Sequence, residues 1–360
     1  MLVHICCSVD SHFFLERLQQ DFPNEKLTAF FYNPNIHPYS EYYLRLLDVQ
    51  RSCKLLNVEL HVGEYDFESW FKTVKGLENE PEKGKRCELC FDTRFEVSAS
   101  KAKELNHTTF TSTLLVSPLK SQEQLKSVGA EFLENYGVEF IAIDYRSNGG
   151  TQEQSRVTKE QKLYRQDYCG CIYGLRPQRD KQNIYLSEMV SHISKETLEG
   201  SIEQRVELYE KRLELEDQNL EYKIIKENFL NYRELNSKVT FKKEVIDAYF
   251  FNYSILKSKK AQGRVEFEHN NIHYFNRNNI KFITLEFFNS IANKKHQNIK
   301  DIIYNPPLYS HQIELREALT GEKNTISPII VLETIPTQKM TVQIESTTYE
   351  DTKERFLIIN

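Results

Sequence analysis

The chain has 360 residues, enough for two domains of ordinary size. Its composition is globular, 39% hydrophobic and 28% charged, and no run approaches the ~18 continuous apolar residues of a membrane helix. A net charge of −5 excludes an overall basic field: residues 1–175 carry 20 Lys and Arg against 25 Asp and Glu, and residues 176–360 carry 27 of each, so any nucleic-acid contact must rest on local patches.

The N-terminus reads as a strand followed by cysteines rather than a charged stretch and an apolar signal core, so a cytoplasmic protein with no membrane partner is expected. Seven cysteines, at 6, 7, 53, 87, 90, 169 and 171, all lie in the first half. In a reducing compartment such spacings favour metal or redox chemistry over structural disulfides.

Leu2–Ile5 is a short apolar strand ending at Cys6-Cys7, with Asp10 three residues on; a helix over 11–22 stops at Pro23. Residues 27–32 form an aromatic second strand, which runs into the rigid loop Asn33-Pro34-Asn35-Ile36-His37-Pro38. Ser40 is expected to cap a helix through Leu56, with Cys53 a partly buried small residue on it. A third strand follows at 58–62, then a short helix with the core residue Trp70 and a charged loop over 78–85, either a solvated turn or a lid. Arg86-Cys87-Glu88-Leu89-Cys90 enters a helix to about Leu105, which places two thiols one turn apart where the helix dipole favours thiolate. Strands at 108–111 and 139–143 flank a helix over 122–136. The alternation implies an α/β fold, a doubly wound, Rossmann-like parallel sheet, with ligands at the carboxyl ends of its strands.

A basic stretch, Arg156, Lys159, Lys162 and Arg165, then leads to Cys169-Gly170-Cys171. Its charges are either one solvated helix face or phosphate contacts to a nucleic acid. Residues 1–178 are read as the catalytic domain and 179–360 as an appended mixed α+β domain. In the latter, 197–235 reads as helical, while Ile280–Thr284, Ile329–Leu332 and Thr341–Ile344 read as strands. That second half either helps to hold a nucleic acid or is a packing or dimerisation module.

Cys6, Cys7, Cys87 and Cys90 supply four thiolates, the ligand count of a [4Fe–4S] cluster and equally of structural zinc. A vicinal pair is awkward on a single ion, and the hard carboxylate of Asp10 suits iron better than a closed four-thiolate zinc site. Cys169-Gly170-Cys171 either closes a strained, easily reduced disulfide ring or ligates metal.

Several motifs together resemble the epoxyqueuosine reductase QueH family, the cobalamin-independent enzymes of queuosine biosynthesis. They are His4-Ile5-Cys6-Cys7, Phe31-Tyr32-Asn33-Pro34-Asn35-Ile36-His37-Pro38 and Arg86-Cys87-Glu88-Leu89-Cys90-Phe91-Asp92-Thr93-Arg94, then Phe110-Thr111-Ser112-Thr113-Leu114-Leu115, Ser117-Pro118 and Leu163 to Cys171. The resemblance spans about residues 2–175. It implies two-electron removal of the epoxide oxygen, as water, from epoxyqueuosine at the wobble position of a tRNA, with electrons from a donor the sequence does not identify. It also implies a [4Fe–4S] cluster, placed here on Cys6, Cys7, Cys87 and Cys90, and a second iron for which Asp10 is the matching carboxylate. Many relatives read Cys-Cys-x-Pro-Asp or Cys-Cys-x-Pro-Cys; Val9 replaces that proline, which is expected to loosen the turn but keep the acid. Asn33, Asn35 and His37 would face the cyclopentane ring, Arg156 and Arg165 the phosphates, and Cys169 and Cys171 would store two electrons as a dithiol. The protons come from Asp10, Tyr168 or water. Two other readings remain: an ATP-dependent tRNA thiolase-like enzyme, disfavoured because no phosphate loop follows the first strand, and a zinc-stabilised nucleic-acid-binding module.

Overall fold

The computed structural model describes residues 1–116, 132–190, 197–275 and 279–359. The chain divides into two compact units, the first made of residues 1–189, 205–222 and 358–360, the second of 190–204 and 223–357. Among the described residues, no helix is long and apolar enough to cross a membrane.

In the first unit β1 (Leu2–Ile5), β2 (Thr28–Phe31), β3 (Glu59–Val62), β4 (Thr109–Ser112) and β5 (Glu139–Phe140) form one sheet. Its order is β3-β2-β1-β4-β5 and every pairing is parallel. β1 and β2 are buried at every position, as a central parallel strand covered on both faces must be. The chain leaves β1 towards β2 on one side and later returns from β3 to β4 on the other. The end of β1 is therefore the switch point of the sheet, where the diverging connections leave a crevice. Leu2, Ile5, Phe14, Leu15, Phe31, Phe95 and Phe110, all fully shielded, form the core against it, each contributing about 1.5–3 kcal/mol of apolar burial.

The helices are α1 (Ser8–Asp21), α2 (Tyr39–Leu55), α3 (Phe67–Thr73), α4 (Lys85–Glu104), α5 (Phe132–Tyr136), α6 (Gly150–Glu160), α7 (Ile172–Gln182) and α8 (Ile202–Asp217). The caps differ from expectation at α2, where Pro38 holds the cap position and Ser40 sits inside the first turn. α6 ends at Glu160, because Lys162 adopts a left-handed φ of 52°; Arg165 is thus off the helix that carries Arg156. Residues 117–131, with Ser117-Pro118 and most of the helix expected there, lie outside the described residues.

The unit runs beyond the expected boundary at 178, which falls inside α7, and it takes in most of α8. α8 docks on α2 through buried charge. Arg212, with no exposure, sits 3.5 Å from Asp48, while Arg51 donates to Glu216 at 2.8 Å. Burying ions costs several kcal/mol each unless they are paired and hydrogen-bonded.

In the second unit the expected long helical stretch gives way to a strand. After Asn219, at a φ of 55°, the chain runs extended as β6 (Tyr222–Phe241) beside β14 (Met340–Ile358). Ile224, Ile225, Phe229 and Tyr232 suit a pleated surface, and long-range pairing overrides the helical period. A four-stranded sheet of order β7-β6-β14-β9 packs on a five-stranded one, β10-β11-β12-β13-β8. These contain β7 (Glu244–Ile246), β8 (Tyr249–Phe250), β9 (Lys260–Gly263), β10 (Val265–His269), β11 (Ile272–Phe275), β12 (Ile280–Thr284) and β13 (Ile329–Leu332). β13 sends Ile329 and Val331 to the side covered by the helices Leu285–Ala292, Ile299–Tyr304 and Tyr309–Thr320, and Ile330 and Leu332 to the sheet side, the two-residue alternation of a strand buried on both faces.

Two predictions follow from this packing. Arg212→Met leaves the Asp48 carboxylate buried without its counter-charge and is expected to cost about 3–5 kcal/mol, read from urea unfolding of the full chain. His12 packs on α2, its Nδ1 2.9 Å from Ser52 Oγ; burial, aided by the charge of Arg51, holds its imidazole down from 6.5 to about 4. Below the unfolded value of 6.5 the unfolded chain binds a proton that the folded chain refuses, so this stability is present above 6.5 and lost as pH falls towards 4. The urea midpoint should be lower at about pH 5 than at about pH 7.5, and His12→Gln should narrow the difference.

Candidate metal centre

Cys6 and Cys7 leave the end of β1, and Cys7, in extended conformation, is the cap residue of α1. Asp10 in the first turn of that helix is turned back towards them. Val9 is itself helical, so the turn is closed by α1 and the missing proline does not loosen it. Cys6 Sγ lies 3.8 Å from Cys7 Sγ, 3.6 Å from Asp10 Oδ2 and 3.7 Å from Thr113 Oγ1. The ligand atoms of Cys6, Cys7 and Asp10 all lie within 4.8 Å of one another. Asp10 Oδ1 accepts a hydrogen bond from Gln154 Nε2 at 2.7 Å.

The pocket concentrates three acids, with Cys7 and Asp10 buried and Cys6 partly exposed. The neighbouring Cys7 thiol, together with the charges of Arg94 and Arg45 and the Thr113 hydroxyl, outweighs burial and brings Cys6 down to about 5. Cys7 moves the other way, raised by its hydrogen bond to Cys6 and by burial. Burial, and then the Cys6 charge, lifts the Asp10 carboxyl well above the usual carboxylate range. Without a cation the pocket thus favours one anion among three acids. A metal would draw all three into their anionic, ligating forms, since thiolates and carboxylates bind with release of protons. The donor set fits an iron-containing group.

The other cysteines stand outside that triad, with Cys87 packed on the same core cluster as Cys6. Cys87, half-buried at the start of α4, accepts from Lys83 N at 3.3 Å. Cys90, one turn on, is buried with Trp70, Val74 and Cys171, against which Cys169 also packs. Cys171 N donates to Cys169 Sγ at 3.5 Å, and the Cys171 thiol is pushed far up by Cys169 and by burial. Of the four expected cluster ligands, the structure therefore sets Cys6 and Cys7 with Asp10, and Cys90 with the Cys169 and Cys171 pair. Cys53 is buried apart from both groups, its thiol pushed up to about 12 by burial.

The Cys169–Cys171 turn docks on the loop after β2. His37 N donates to Gly170 O at 2.8 Å, Tyr168 Oη donates to His37 O at 2.6 Å, and Arg45 donates to the carbonyls of Tyr168 at 3.0 Å and Cys169 at 3.2 Å. Asn33 is committed to the protein: its amide donates to Ile5 O at 2.9 Å and accepts from Arg94 at 2.5 Å. That makes it a holder of the loop rather than an open contact. Asn35 and His37 differ. His37 Nδ1 lies 3.0 Å from Asn35 O, and the ring sits among Tyr65, Phe67, Trp70 and Phe71. Its Nε2 and the Asn35 Oδ1 are buried with no hydrogen-bond partner among the described residues. Burial lowers the His37 pKa, which favours the neutral ring. Arg156 is exposed between Glu153 at 2.7 Å and Glu160 at 2.5 Å, so its charge is matched locally; Arg165 is exposed.

Sequence reasoning missed Arg45, Asp48, Arg94, Thr113 and Gln154. Arg94 and Thr113 stand inside recognised motifs, but nothing local distinguishes them. The charged loop at 78–85 lines a groove of about 600 Å³ with α7, between Glu78, Glu82 and Arg86 on one side and Tyr173, Arg176 and Lys181 on the other. A Cβ at Gly174 would meet Glu82 Oε1 at 3.3 Å and Cys169 Sγ at 3.8 Å, so the groove reaches the cysteine pair.

Gly170 has a φ of +100°, and a Cβ there would come within 2.7 Å of Ile36 Cγ1 and 3.2 Å of Ile36 Cα. Gly170→Ala is expected to cost about 1–3 kcal/mol and to undock this turn, seen as a lower melting temperature and faster alkylation of Cys169.

The family model described as epoxyqueuosine reductase QueH matches residues 1–177. The epoxyqueuosine reductase QueH of Helicobacter pylori is 36% identical over 370 residues, covering 98% of this chain and 98% of that one. The protein of the same name from Acinetobacter baylyi is 38% identical over 177 residues, 49% of this chain and 80% of its own. That from Thermotoga maritima is 36% identical over 184 residues, 50% and 93% respectively.

Proposed function

This chain belongs to the epoxyqueuosine reductase QueH family and is an oxidoreductase of tRNA queuosine biosynthesis; we propose that its reaction centre is the pocket of Cys6, Cys7 and Asp10 at the sheet's switch point. The observation that supports this most directly is the convergence of two thiols and a carboxyl within 4.8 Å, in a buried crevice that favours a cation. The reaction takes an epoxide, two electrons and two protons to an alkene and water.

Cys6 and Cys7, with Cys87 and Cys90 from the start of α4, would hold a [4Fe–4S] cluster, and Asp10 a second iron. Bound there, these groups supply electrons one at a time and a Lewis acid for the epoxide oxygen. The chain's own residues do the rest. Asp10 would serve in its anionic, ligating form, with Oδ1 oriented by Gln154 Nε2 and Oδ2 facing Cys6. That leaves water as the better proton source than Tyr168, whose hydroxyl already donates to His37 O. Asn35 Oδ1 and neutral His37 Nε2 are two acceptors available for the hydroxyls of the cyclopentane ring. The tRNA enters by the groove beside α7, with Arg165 and Arg176 on phosphates; Arg156, already paired, contributes less.

Cys169 and Cys171 are read as the electron store. Two thiols give up two electrons and two protons to form one S–S bond, and the electron donor restores them. The Ser112-Thr113 end of β4 carries no phosphate loop, and neither does the turn after β1, so an ATP-dependent thiolase chemistry is not favoured.

The deciding experiment is anaerobic reconstitution with iron and sulfide, followed by assay on tRNA carrying epoxyqueuosine. A broad absorption band near ~400 nm and iron bound to the wild type are expected. Cys6→Ala, Cys87→Ala and Cys90→Ala should each lose colour and iron. Cys169→Ser should retain both yet fail after the first turnover. A colourless zinc-loaded wild type would refute the reading. Iron content unchanged in Cys87→Ala and Cys90→Ala would move the cluster off α4.

A further inference from the structure

Arg212 lies beyond the family-matched segment, yet it is wholly buried in the first unit, 0% exposed. Its guanidinium is fully engaged. Nη1 lies 3.5 Å from Asp48 Oδ1 and donates to Lys162 O at 2.8 Å. Nη2 donates to Gln161 O at 3.3 Å and Nε to Tyr222 Oη at 2.6 Å. The rings of Tyr209 and Tyr222 flank it at 5.5 and 5.7 Å. Such a fork has one orientation, and a lysine could not reproduce it.

Asp48 transmits that orientation. It is 1% exposed, and its other oxygen, Oδ2, accepts from the Ser8 hydroxyl and from Tyr164 N at 2.7 Å. Ser8 directly follows Cys7 and opens α1; Tyr164 lies five residues before Cys169. One turn earlier on α2, Arg45 holds the Tyr168 and Cys169 carbonyls. A single carboxylate therefore registers the thiol-bearing turn after β1 against the segment that leads to the cysteine pair. Its two faces are an arginine fork and a serine hydroxyl.

We propose that Arg212 is a positioning residue for the iron–sulfur site: acting through Asp48 and Ser8, it fixes the turn that carries Cys6 and Cys7. The inference rests on the reading that those thiols hold the metal group. Partners that orient metal ligands from behind typically matter 10–100-fold for metal affinity or activity.

The test uses the full-length, anaerobically reconstituted protein and four variants: Arg212→Lys, Ser8→Ala, the two combined, and Asp217→Asn. The last removes the exposed ion pair that Asp217, on the helix of Arg212, makes with Lys54 of α2. Iron per chain, the electron paramagnetic resonance spectrum of the reduced cluster, and kcat and KM on the tRNA are measured. Arg212→Lys and Ser8→Ala are each expected to keep their iron, shift the resonance spectrum and lower kcat by about 10-fold or more with KM unchanged. The double variant should be no worse than the stronger single, because both cut one relay. Asp217→Asn should match the wild type. Spectra and kcat unchanged in both single variants would overturn the proposal, as would losses that multiply in the double, or an equal loss in Asp217→Asn. If Arg212→Lys fails to fold, Ser8→Ala carries the test alone, and its unchanged spectrum overturns the relay. A wild type without a thiolate-bound iron signal instead refutes the site assignment itself.

Discussion

The Asp48 carboxylate, sealed beneath α2, is the constraint on which the first unit depends. It belongs to a stripe, Glu41, Arg45, Asp48 and Ser52, spaced four, three and four residues apart and so aligned on one helical face. All four are buried. Glu41 takes the Arg45 guanidinium at 2.7 Å and the Tyr164 hydroxyl at 2.8 Å, Arg45 takes two backbone carbonyls, Asp48 takes Ser8, Tyr164 and Arg212, and Ser52 takes His12. A buried ion pair adds little net stability, because desolvation offsets its attraction, but a misdocked one is costly. The stripe therefore acts through exclusion. Any other placement of α1, of the segment at 161–171 or of α8 strands a charge in the protein interior, and only the observed packing satisfies each member.

That same physics explains what the sequence revealed and what it hid. β1, β2, β12 and β13 were readable because a strand buried on both faces must be a short apolar run, and the loop with two prolines and two asparagines announced a rigid turn at a strand end. The cysteine motifs stood out by composition, and a C-x-x-C at a helix start has a local electrostatic rationale. The α2 stripe had none: Glu, Arg, Asp and Ser at helical spacing look like a solvated face, and only tertiary contacts show that this face is the interior. Gln154 reaches Asp10 across 144 residues, a contact that no local pattern encodes. The strand at 222–241 was hidden for a related reason, since its residues suit a helix or a pleat and the choice is made by a partner more than a hundred residues away.

Spacing alone joins Cys6-Cys7 to Cys87-x-x-Cys90, whereas the fold adds a second association, Cys90 with Cys169 and Cys171 around Trp70. The two groups also differ in company. Cys6 and Cys7 stand with the Asp10 carboxyl, and the hydrogen bond with Cys7, helped by Arg94 and Arg45, draws the Cys6 thiol down; Cys171 packs with Cys90, Trp70 and Val74, and its hydrogen bond with Cys169 and burial drive its thiol up. Thiols set with a carboxyl suit a cation, whereas two thiols one residue apart can close on each other. On the reading proposed here this divides the labour. The turn after β1 favours binding of a cation, and the turn before α7 favours storage of two electrons with their two protons. α2 spans both, since Arg45 grips one turn and Asp48 the other. A reductive deoxygenation needs electrons and protons delivered to one oxygen, and a single rigid helix registering both thiol groups is a direct way to keep the two supplies in step.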